Sequence, residues 1–401
     1  MTDGIAFHLL RCGTSRGPFF WGSALPPEQA ERDALLCGVM GSGTEGQVDG
    51  IGGGTGVTSK AVFLNRAEEG DEVDVEFNFA QVGVKVRTID HSHGDCMNMF
   101  AGVTPFVLAT AADRDDRGTS AERPLRVRSM ETGMIAEQWI ASEGSGDGGA
   151  VLRPGRPCKV ESRIVGCSGS MTGSVLPAGG AAMIELEGGL PRVSVVDFSR
   201  VTVIVAAADV GMTAGTKMDD PALCARLEAV RVAAAKAAGL GDCSDSDSPK
   251  LCVVAAVPED EQKTSTNSAG AVQLRAWYWV NPGRCEPHPT MGITCASCLA
   301  AACELPGTIP HALLRAAAAA PAEAESGGGG GGGGGGVVPE WSPAAGVTTG
   351  DETVPYGFQH PQGVCRVTLW RRQAGAAPHG VAYSNSVRIL ASGQLFVDDT
   401  P

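Results

Sequence analysis

The sequence lacks the features of several large classes of protein. Its longest apolar run, at 201–208, is far shorter than the roughly 20 residues that a membrane helix needs. The N-terminus has neither a basic segment nor a long apolar segment of the kind that a secretory signal carries. Lys and Arg number 31 against 45 Asp and Glu, and this net charge of −14 argues against binding to nucleic acid. We therefore expect a cytoplasmic protein that binds neither membranes nor nucleic acid.

Regular cysteine spacing is also lacking. The thirteen cysteines are odd in number and suit free thiols in a reducing compartment better than a disulfide framework. One group, Cys285-x-x-His288 with Cys295-x-x-Cys298, has spacing compatible with zinc. Because Cys298 lies in an alanine-rich apolar stretch, where thiols pack as small hydrophobic groups, we expect no metal. A zinc-stabilised binding protein without catalysis is kept as an alternative.

The chain is organised around DGIGGGTGVTSK at 49–60, in which five of twelve residues are glycine. Such glycines let backbone approach a ligand closely and turn N–H groups toward an anion. The spacing differs from that of a phosphate-binding G-x-x-x-x-G-K-[ST] loop. We interpret the segment as a cradle for a carboxylate-bearing substrate with Lys60 placed for chemistry, the alternative being a glycine-rich turn. The residues assigned to substrate binding here are Gly53, Gly54, Thr58 and Ser59.

Cys96 is the second candidate for chemistry. It stands where an apolar helix is predicted to begin, and the positive end of a helix dipole favours a carboxylate there. Asp95 and Asn98 give it polar neighbours, although a buried structural thiol is the alternative. Arginines in turn-like surroundings could clamp carboxylates bidentately. They are Arg11, Arg16, Arg284 and Arg388.

Strand and helix patterns predict an α/β protein whose second half repeats its first. Strand 202–208 and strand 250–257 follow strands 7–12 and 59–65 at a nearly constant offset. This indicates two duplicated domains, the first at 1–178 and the second at 179–384. The C-terminal strand, about 385–401, is expected to return to the first domain.

Three local predictions complete the outline. A strand is expected at 82–88, and the helix after Cys96 is expected to be kinked or ended near Pro105. Residues 316–354, with ten glycines at 327–336, are too poor in apolar residues to fold and are expected to form a flexible insertion. The sequence indicates no role for that glycine tract.

Several motifs in order resemble those of the PrpF family. RCGTSRGPFF at 11–20 is similar to R-G-G-T-S-K-G-x-x-F, and 47–60 is similar to D-G-[LM]-G-G-x-x-x-x-T-S-K. Residues 95–98, DCMN, stand where the family has C-G-N, and HPQG at 360–363 stands where it has H-P-S-G. NSVR at 385–388 is similar to T-A-R-R. The chain is identified as a member of this family from about residue 7 to its end, apart from the insertion.

The resemblance implies a diaminopimelate epimerase-like fold of the α/β (α+β) class. Its two pseudo-symmetric domains would each wrap a curved sheet or barrel around a central helix, with the active site in the cleft between them. The implied activity is a cofactor-independent isomerisation of small unsaturated di- or tricarboxylic acids, such as 2-methylaconitate or aconitate. Lys60 would move the proton, and Cys96 would line the same site. Whether the protein is a homodimer stays open.

The resemblance also implies further substrate-binding residues. They are Arg11, Thr14, Ser15, Met97, Asn98, Gly292 and Arg388. This chain departs from the family pattern at three positions, because Cys12 and Met97 stand for glycines and Arg16 stands for a lysine. These departures leave 4-oxalomesaconate tautomerase and methylitaconate delta-isomerase activities open. A cysteine-based amino-acid epimerase using Cys96 and Cys295 is a further alternative.

Overall fold

The structure is a computed structural model, and it describes most of the chain. The residues outside the description are 1–3, 92–93, 114–122, 142–151, 214, 245, 247, 259–271, 281–285, 289, 320–351, 372–377 and 398–401. Two compact units are present. The first comprises Met1–Met171, Ser246–Ser248 and Gly380–Pro401, and the second comprises Thr172–Asp245 and Pro249–His379.

The first unit is built on a closed sheet. Its strands are β1 (Ile5–Cys12), β2 (Ser15–Trp21), β3 (Lys60–Arg66), β4 (Val75–Val82), β5 (Ile89–Asp90), β6 (Leu125–Ser129), β7 (Ile135–Ile140), β8 (Cys158–Val165) and the C-terminal β16 (Gly380–Leu395). Among the described residues, eight strands follow one another in the order β1-β2-β3-β4-β6-β7-β8-β16, while β5 pairs with β4. Because β16 pairs with both β8 and β1, the sheet closes into a barrel.

An apolar helical segment fills this barrel. Its two parts are α2 (Met97–Phe100) and α3 (Val103–Asp113). The ring of Phe100 contacts Phe77 of β4 edge-on with centroids 4.6 Å apart, and Phe106 packs against Phe19 of β2 at 5.8 Å. A helix that is apolar all round must be buried, and the surrounding sheet provides that burial.

The helical segment breaks earlier than the sequence predicts. The break lies at Ala101 and Gly102, whereas Pro105 is in the first turn of α3, where proline is tolerated. A Cβ on Gly102 would lie 2.4 Å from the Phe19 ring and 2.8 Å from the Cys12 sulfur. The close approach of β1 and β2 therefore requires glycine at this break.

The outer face of the barrel is covered by α1 (Gln29–Met40). Ala61 of β3 and Ala80 of β4 pack in one buried cluster with Leu36 and Met40 of this helix. Side chains alternate across a strand, so the residues next to these alanines point the opposite way. Lys60 therefore faces the inside of the barrel.

The second unit contains a second sheet and its own buried helix. Its strands are β9 (Ser194–Asp197), β10 (Val201–Ala206), β11 (Lys250–Ala256), β12 (Leu274–Val280), β13 (Glu286–Pro287), β14 (Glu352–His360) and β15 (Gly363–Arg371). Its helices are α4 (Pro221–Ala237), α5 (Ile293–Glu304) and α6 (Ile309–Ala319). The strand order is β9-β10-β11-β12-β14-β15, with β13 against β12. From Thr294 to Cys303 every residue of α5 is buried.

Both units repeat one succession of pairings. Each unit begins with an antiparallel pair of strands, β1 and β2 in the first unit and β9 and β10 in the second. A helix follows, and the next strand is parallel to the second strand of that pair: β3 is parallel to β2, and β11 is parallel to β10. An antiparallel neighbour (β4, β12) and a short strand (β5, β13) precede the buried helix. After the buried helix comes a strand that is parallel to β4 in the first unit (β6) and to β12 in the second (β14). Its antiparallel partner, β7 or β15, follows. This confirms the predicted pseudo-symmetric duplication.

Several local predictions are corrected. The strand predicted at 82–88 ends at Val82, and residues 84–87 form bends, because Ser42 Oγ donates to Gly83 O and Gly43 N donates to Val84 O. The C-terminal strand expected at about 385–401 begins earlier than predicted, because β16 runs from Gly380 to Leu395. The predicted insertion is too long at both ends, since α6 continues to Ala319 and β14 begins at Glu352. The strands β9 and β14 were not predicted, and the glycine tract lies outside the described residues.

Among the described helices, no single one is long and apolar enough to cross a membrane. Only α5 and α6 taken together reach that length, across a bend of 62°.

Candidate active site

Lys60 is held inside the barrel at the start of β3. Its side chain is buried, with only 6% of the residue's surface exposed. The ammonium donates to Oε1 of Gln81 at 2.5 Å and lies 5.2 Å from the centre of the Phe79 ring. The amide nitrogen of Gln81 in turn donates to the carbonyls of Gly56 and Ser59, at 3.1 and 3.0 Å. This chain of hydrogen bonds orients the amide and fixes the position of the ammonium.

A second glutamine, Gln47, fixes the conformation of the glycine-rich segment through hydrogen bonds. Gln47 is buried and has a φ of 48°, an uncommon left-handed conformation for a residue other than glycine. Its amide nitrogen donates to the hydroxyl of Ser59 at 2.7 Å, and its oxygen accepts from the backbone N–H of Gly54 at 2.9 Å. The loop before Lys60 is therefore shaped by its own side chains, and Gly53 is left exposed.

The turn before Cys96 is also built on buried polar contacts. Gly94 has a φ of +68°, which favours glycine. The buried carboxylate of Asp95 accepts from Ser129 Oγ at 2.8 Å and from Thr132 Oγ1 at 2.5 Å. Cys96 follows as the N-cap of α2, and its sulfur lies 3.7 Å from the hydroxyl oxygen of Ser15.

A polar network continues from Cys96 to the C-terminal strand. Asn98 donates to the hydroxyl of Thr14 at 3.1 Å and accepts from Asn385 at 2.9 Å. The hydroxyl of Tyr383 donates to the carbonyl of Met97 at 2.9 Å. Burial raises the pKa of Tyr383 well above its usual range, so this phenol stays protonated and remains a donor. The network holds the start of α2 against β16.

The inner face of β2 links Lys60 to Cys96. Ser15 contacts the Cys96 sulfur, and a Cβ on Gly17 would lie 2.0 Å from the carbonyl oxygen of Lys60 and 3.0 Å from the end of Met99. The structure thus gathers Lys60, Cys96 and Ser15 at one end of the barrel interior. Thr14, Met97 and Asn98 belong to the same end through the contacts given above.

Other predicted residues lie elsewhere. Leu10 and Cys12 of β1 are buried, so Arg11 between them faces outward, where its guanidinium donates to Gly13 O at 2.9 Å and Ser386 Oγ at 3.0 Å. Arg388 pairs with Arg11 in the strand register and is exposed. The structure therefore does not bring these two arginines to Lys60. Gly292 is the N-cap of α5 in the second unit, and Arg284 lies outside the described residues.

The structure of the second unit does not support the alternative in which Cys96 and Cys295 act together as the catalytic cysteines of an epimerase. Cys295 is fully buried in α5 beside Cys252 of β11, and burial raises the pKa of its thiol well above the usual value. A thiol in this environment is a poor nucleophile or base, because the thiolate is the reactive form.

The zinc alternative gains no support either. Cys298 donates to the carbonyls of Phe198 and Arg200 at 3.2 and 2.8 Å, and burial raises the pKa of its thiol to about 12. Within the described ranges, no three His, Cys, Asp or Glu side chains are grouped so that they could hold a metal ion. Cys285 lies outside those ranges.

Sequence reasoning missed the roles of Gln81, Gln47 and Asp95. Gln81 lies directly opposite Lys60 in the antiparallel register of β3 and β4, a relationship that local patterns do not reveal. Gln47 and Asp95 lie within the recognised motifs, and each is a polar residue next to a glycine. The sequence therefore did contain a signal that could have marked them as functional residues.

The chain resembles known proteins in sequence and in fold. A family model described as "PrpF protein" matches residues 4–327. A 4-oxalomesaconate tautomerase of Pseudomonas putida is 33% identical over 318 residues, which cover 76% of this chain and 81% of that protein. The crystal structure of a methylitaconate-delta-isomerase has a TM-score of 0.67 and 25% identity, covering 98% of this chain and 96% of the other. A hydroxyproline epimerase from Agrobacterium vitis, with a TM-score of 0.51 and 12% identity, covers 100% of this chain and 94% of its own and supports the fold alone.

These matches confirm the predicted epimerase-like fold and the prediction that the protein is an isomerase. Because the family model covers well over half of the sequence and one relative exceeds 30% identity, the chain belongs to the PrpF family.

Proposed function

We propose that this protein isomerises small unsaturated di- or tricarboxylic acids, with Lys60 as the group that removes and returns the proton. The observation that carries the proposal is the ammonium of Lys60, buried inside the barrel and held by Gln81 at 2.5 Å. A fixed amine at the edge of a glycine-rich loop suits proton transfer, since a general base must be positioned within hydrogen-bond reach of its proton.

The proposed reaction conserves all atoms and electrons. The amine form of Lys60 takes a proton from the carbon next to the double bond, and the C–H electron pair spreads over the double bond into a carboxylate as a dienolate. Returning the proton to the allylic carbon shifts the double bond, whereas rotation and return to the same carbon interconvert cis and trans isomers. Neither route changes the oxidation state of the substrate, so acid–base groups are sufficient.

Neighbouring groups would stabilise the charge that develops. The first N–H groups of α2 have no acceptor within the helix and point toward the Cys96 end of the barrel. The hydroxyls of Thr14 and Ser15 lie at the same end, where they can donate to a substrate carboxylate. Donors that are already in place stabilise a dienolate without reorganising during the reaction.

The test is proton NMR of the protein in D2O with a panel of acids. The panel contains cis-aconitate, trans-aconitate and 2-methylaconitate, followed by 4-oxalomesaconate and methylitaconate. We expect deuterium uptake or isomer conversion with at least one acid, and loss of both in Lys60→Ala. Lys85→Ala is the matched control, because the Lys85 side chain is 51% exposed and pairs with Glu45.

Two results would contradict the proposal. One is full activity in Lys60→Ala, which would mean that another group transfers the proton. The other is the absence of exchange and conversion with every acid of the panel for a folded wild-type protein.

We also propose that the protein acts in the cytoplasm. Every cysteine that the structure describes is a free thiol, which suits a reducing compartment. We further propose that the protein forms a homodimer, which analytical ultracentrifugation tests.

A further inference from the structure

Cys96 does not move the proton in the reaction proposed above, yet its thiol lies at the end of the barrel where that reaction is placed. Most cysteines that the structure describes are buried, and the half-buried ones are Cys96, Cys158 and Cys224. A half-buried thiol at the end of a barrel can meet a small molecule that enters there. Cys96 is therefore a nucleophile that an unsaturated acid at this site would encounter.

The other two half-buried thiols are in less reactive surroundings. Burial raises the pKa of the Cys158 thiol to about 11, and the thiolate is the reactive form of cysteine. The Cys224 thiol donates to the carbonyl of Met218 at 3.3 Å. The Cys96 sulfur instead lies 3.7 Å from the hydroxyl oxygen of Ser15, a residue that is 2% exposed. That hydroxyl can rotate to donate to the sulfur while the sulfur forms a new bond.

Cys96 and Lys60 are close enough for one small acid to touch both. Gly17 lies beside the backbone of Lys60, because a Cβ on it would be 2.0 Å from the Lys60 carbonyl oxygen. Ser15, which contacts Cys96, stands two residues before Gly17, or about 7 Å along the strand, and neighbouring strands are about 4.8 Å apart. The backbones of Ser15 and Lys60 are thus about 8 Å apart, with both side chains inside the barrel. A four-carbon diacid spans a comparable distance.

Some unsaturated diacids cannot undergo the proposed isomerisation. In maleate and fumarate all four carbons are sp2, so neither acid has a C–H bond next to its double bond from which a dienolate could form. The double bond still carries a carboxylate on each carbon, which makes it an acceptor for a thiolate. Such an acid offers the Cys96 thiol an electrophile and leaves Lys60 with no proton to remove.

We propose that Cys96 is a site of covalent modification by unsaturated dicarboxylic acids that lack an allylic hydrogen. This inference rests on the proposed function for the place where the acid binds, and goes beyond it by assigning bond formation to the thiol. The Cys96 thiolate forms a bond to one alkene carbon, and the π pair moves to the other carbon. The ammonium of Lys60 gives that carbon a proton, and the proton released by the thiol restores the ammonium through solvent. The product is a thioether, formed by addition of S–H across the double bond without an oxidant or reductant.

The test is intact-protein mass spectrometry after incubation with maleate, followed by peptide mapping. We expect a gain equal to the mass of one molecule of maleic acid, carried by the peptide that contains Cys96. Cys96→Ser should abolish the gain. Cys224→Ser, which removes another half-buried thiol, is the matched control and should keep it. Succinate has the same two carboxylates without the double bond and should give no gain.

Lys60→Ala tests the proton donor. The adduct should form roughly 100-fold or more slowly in this variant at saturating maleate, because a positioned general acid accelerates proton transfer by about that factor. Alkylation of Cys96 by iodoacetamide needs no proton donor, so its rate should be nearly unchanged in the same variant. Thermal unfolding followed by circular dichroism checks that each variant is folded.

Three results would overturn the proposal. They are the absence of an adduct in the folded wild type, equal addition to Cys96, Cys158 and Cys224, and equal rates of addition in wild type and Lys60→Ala. Mass spectrometry needs no turnover, so an adduct at Cys96 in a protein that isomerises no acid would refute the proposed function and keep this site. Isomerisation that depends on Lys60, without any adduct, would do the reverse.

Discussion

Lys60 and Gln81 face each other across two antiparallel strands, and the ammonium of one donates to the amide oxygen of the other at 2.5 Å. The amide is anchored by two backbone carbonyls, so it cannot easily turn away. Gln81 is thus a positioning residue for the proposed base. Its uncharged amide orients the lysine without adding a negative charge beside it.

Gln81→Glu should change the pH dependence of the reaction. A carboxylate at this distance would stabilise the ammonium form of Lys60, so the amine form would appear only at higher pH. We expect activity at neutral pH to fall about 10- to 100-fold and to recover as the pH is raised. The measurement is kcat/KM against pH. A profile that keeps the wild-type shape would show that Lys60 does not act as a base.

Cys96→Ala should retain measurable isomerisation, in contrast to Lys60→Ala. The Cys96 sulfur contacts Ser15 at the N-cap of α2 and is expected to line the site rather than to start the reaction. Deuterium exchange in D2O measures both variants under the same conditions. An inactive Cys96→Ala beside an active Lys60→Ala would instead support cysteine-based chemistry.

Gly17→Ala should both destabilise the protein and lower its activity. The added Cβ would lie 2.0 Å from the backbone oxygen of Lys60, so strand β3 would have to move. Overpacking of this kind typically costs about 1–3 kcal/mol of the free energy of unfolding. Chemical denaturation gives this free energy, and Gly215→Ala is the control, because no described atom lies within 4 Å of its added Cβ. Equal stability of the two variants would contradict the packing of β2 on β3.

Asp74→Asn should remove a pH-dependent part of the stability of the first unit. Burial alone raises the pKa of the Asp74 carboxyl, but hydrogen bonds from the Arg123 guanidinium and the Arg126 N–H outweigh it and hold the pKa below its usual value. A depressed carboxyl pKa stabilises the folded state above the unfolded value of about 3.9, and this contribution disappears as the pH falls through the folded value.

The measurement is the free energy of unfolding of wild type and Asp74→Asn between about pH 2 and pH 7. The wild type should be the more stable protein near neutral pH, and the difference should shrink below about pH 4. A difference that is constant over this range would contradict the assignment.

The amphipathic patterns located most of the elements. The predicted strand 7–12 lies within β1, and the predicted strand 250–257 nearly coincides with β11. Prediction failed where distant backbone decides the local conformation. Residues 82–88 were predicted as a strand, but after Val82 the carbonyls of Gly83 and Val84 accept hydrogen bonds from the loop that contains Ser42 and Gly43.

The candidate site could be predicted from the sequence only in part, again because contacts between segments far apart in the chain decide it. Lys60 and Cys96 stand in motifs with local signals, and the structure gathers them at one end of the barrel. Arg11 and Arg388 had equally plausible surroundings, yet strand alternation turns Arg11 outward and leaves Arg388 exposed. The side of a strand on which a residue lies depends on register with a partner, and no local pattern contains that register.

The sequence by itself determined the family, the duplicated order of elements and the glycine-rich loop that ends at Lys60, because these depend on residues close together in the chain. Only the tertiary structure decided that Gln81 holds Lys60, that Asp95 anchors the turn before Cys96, and that β16 closes the barrel against β1. The physical reason is that each of these contacts joins segments far apart in sequence. Their pairing is selected by the burial of the whole barrel rather than by the preferences of any one segment.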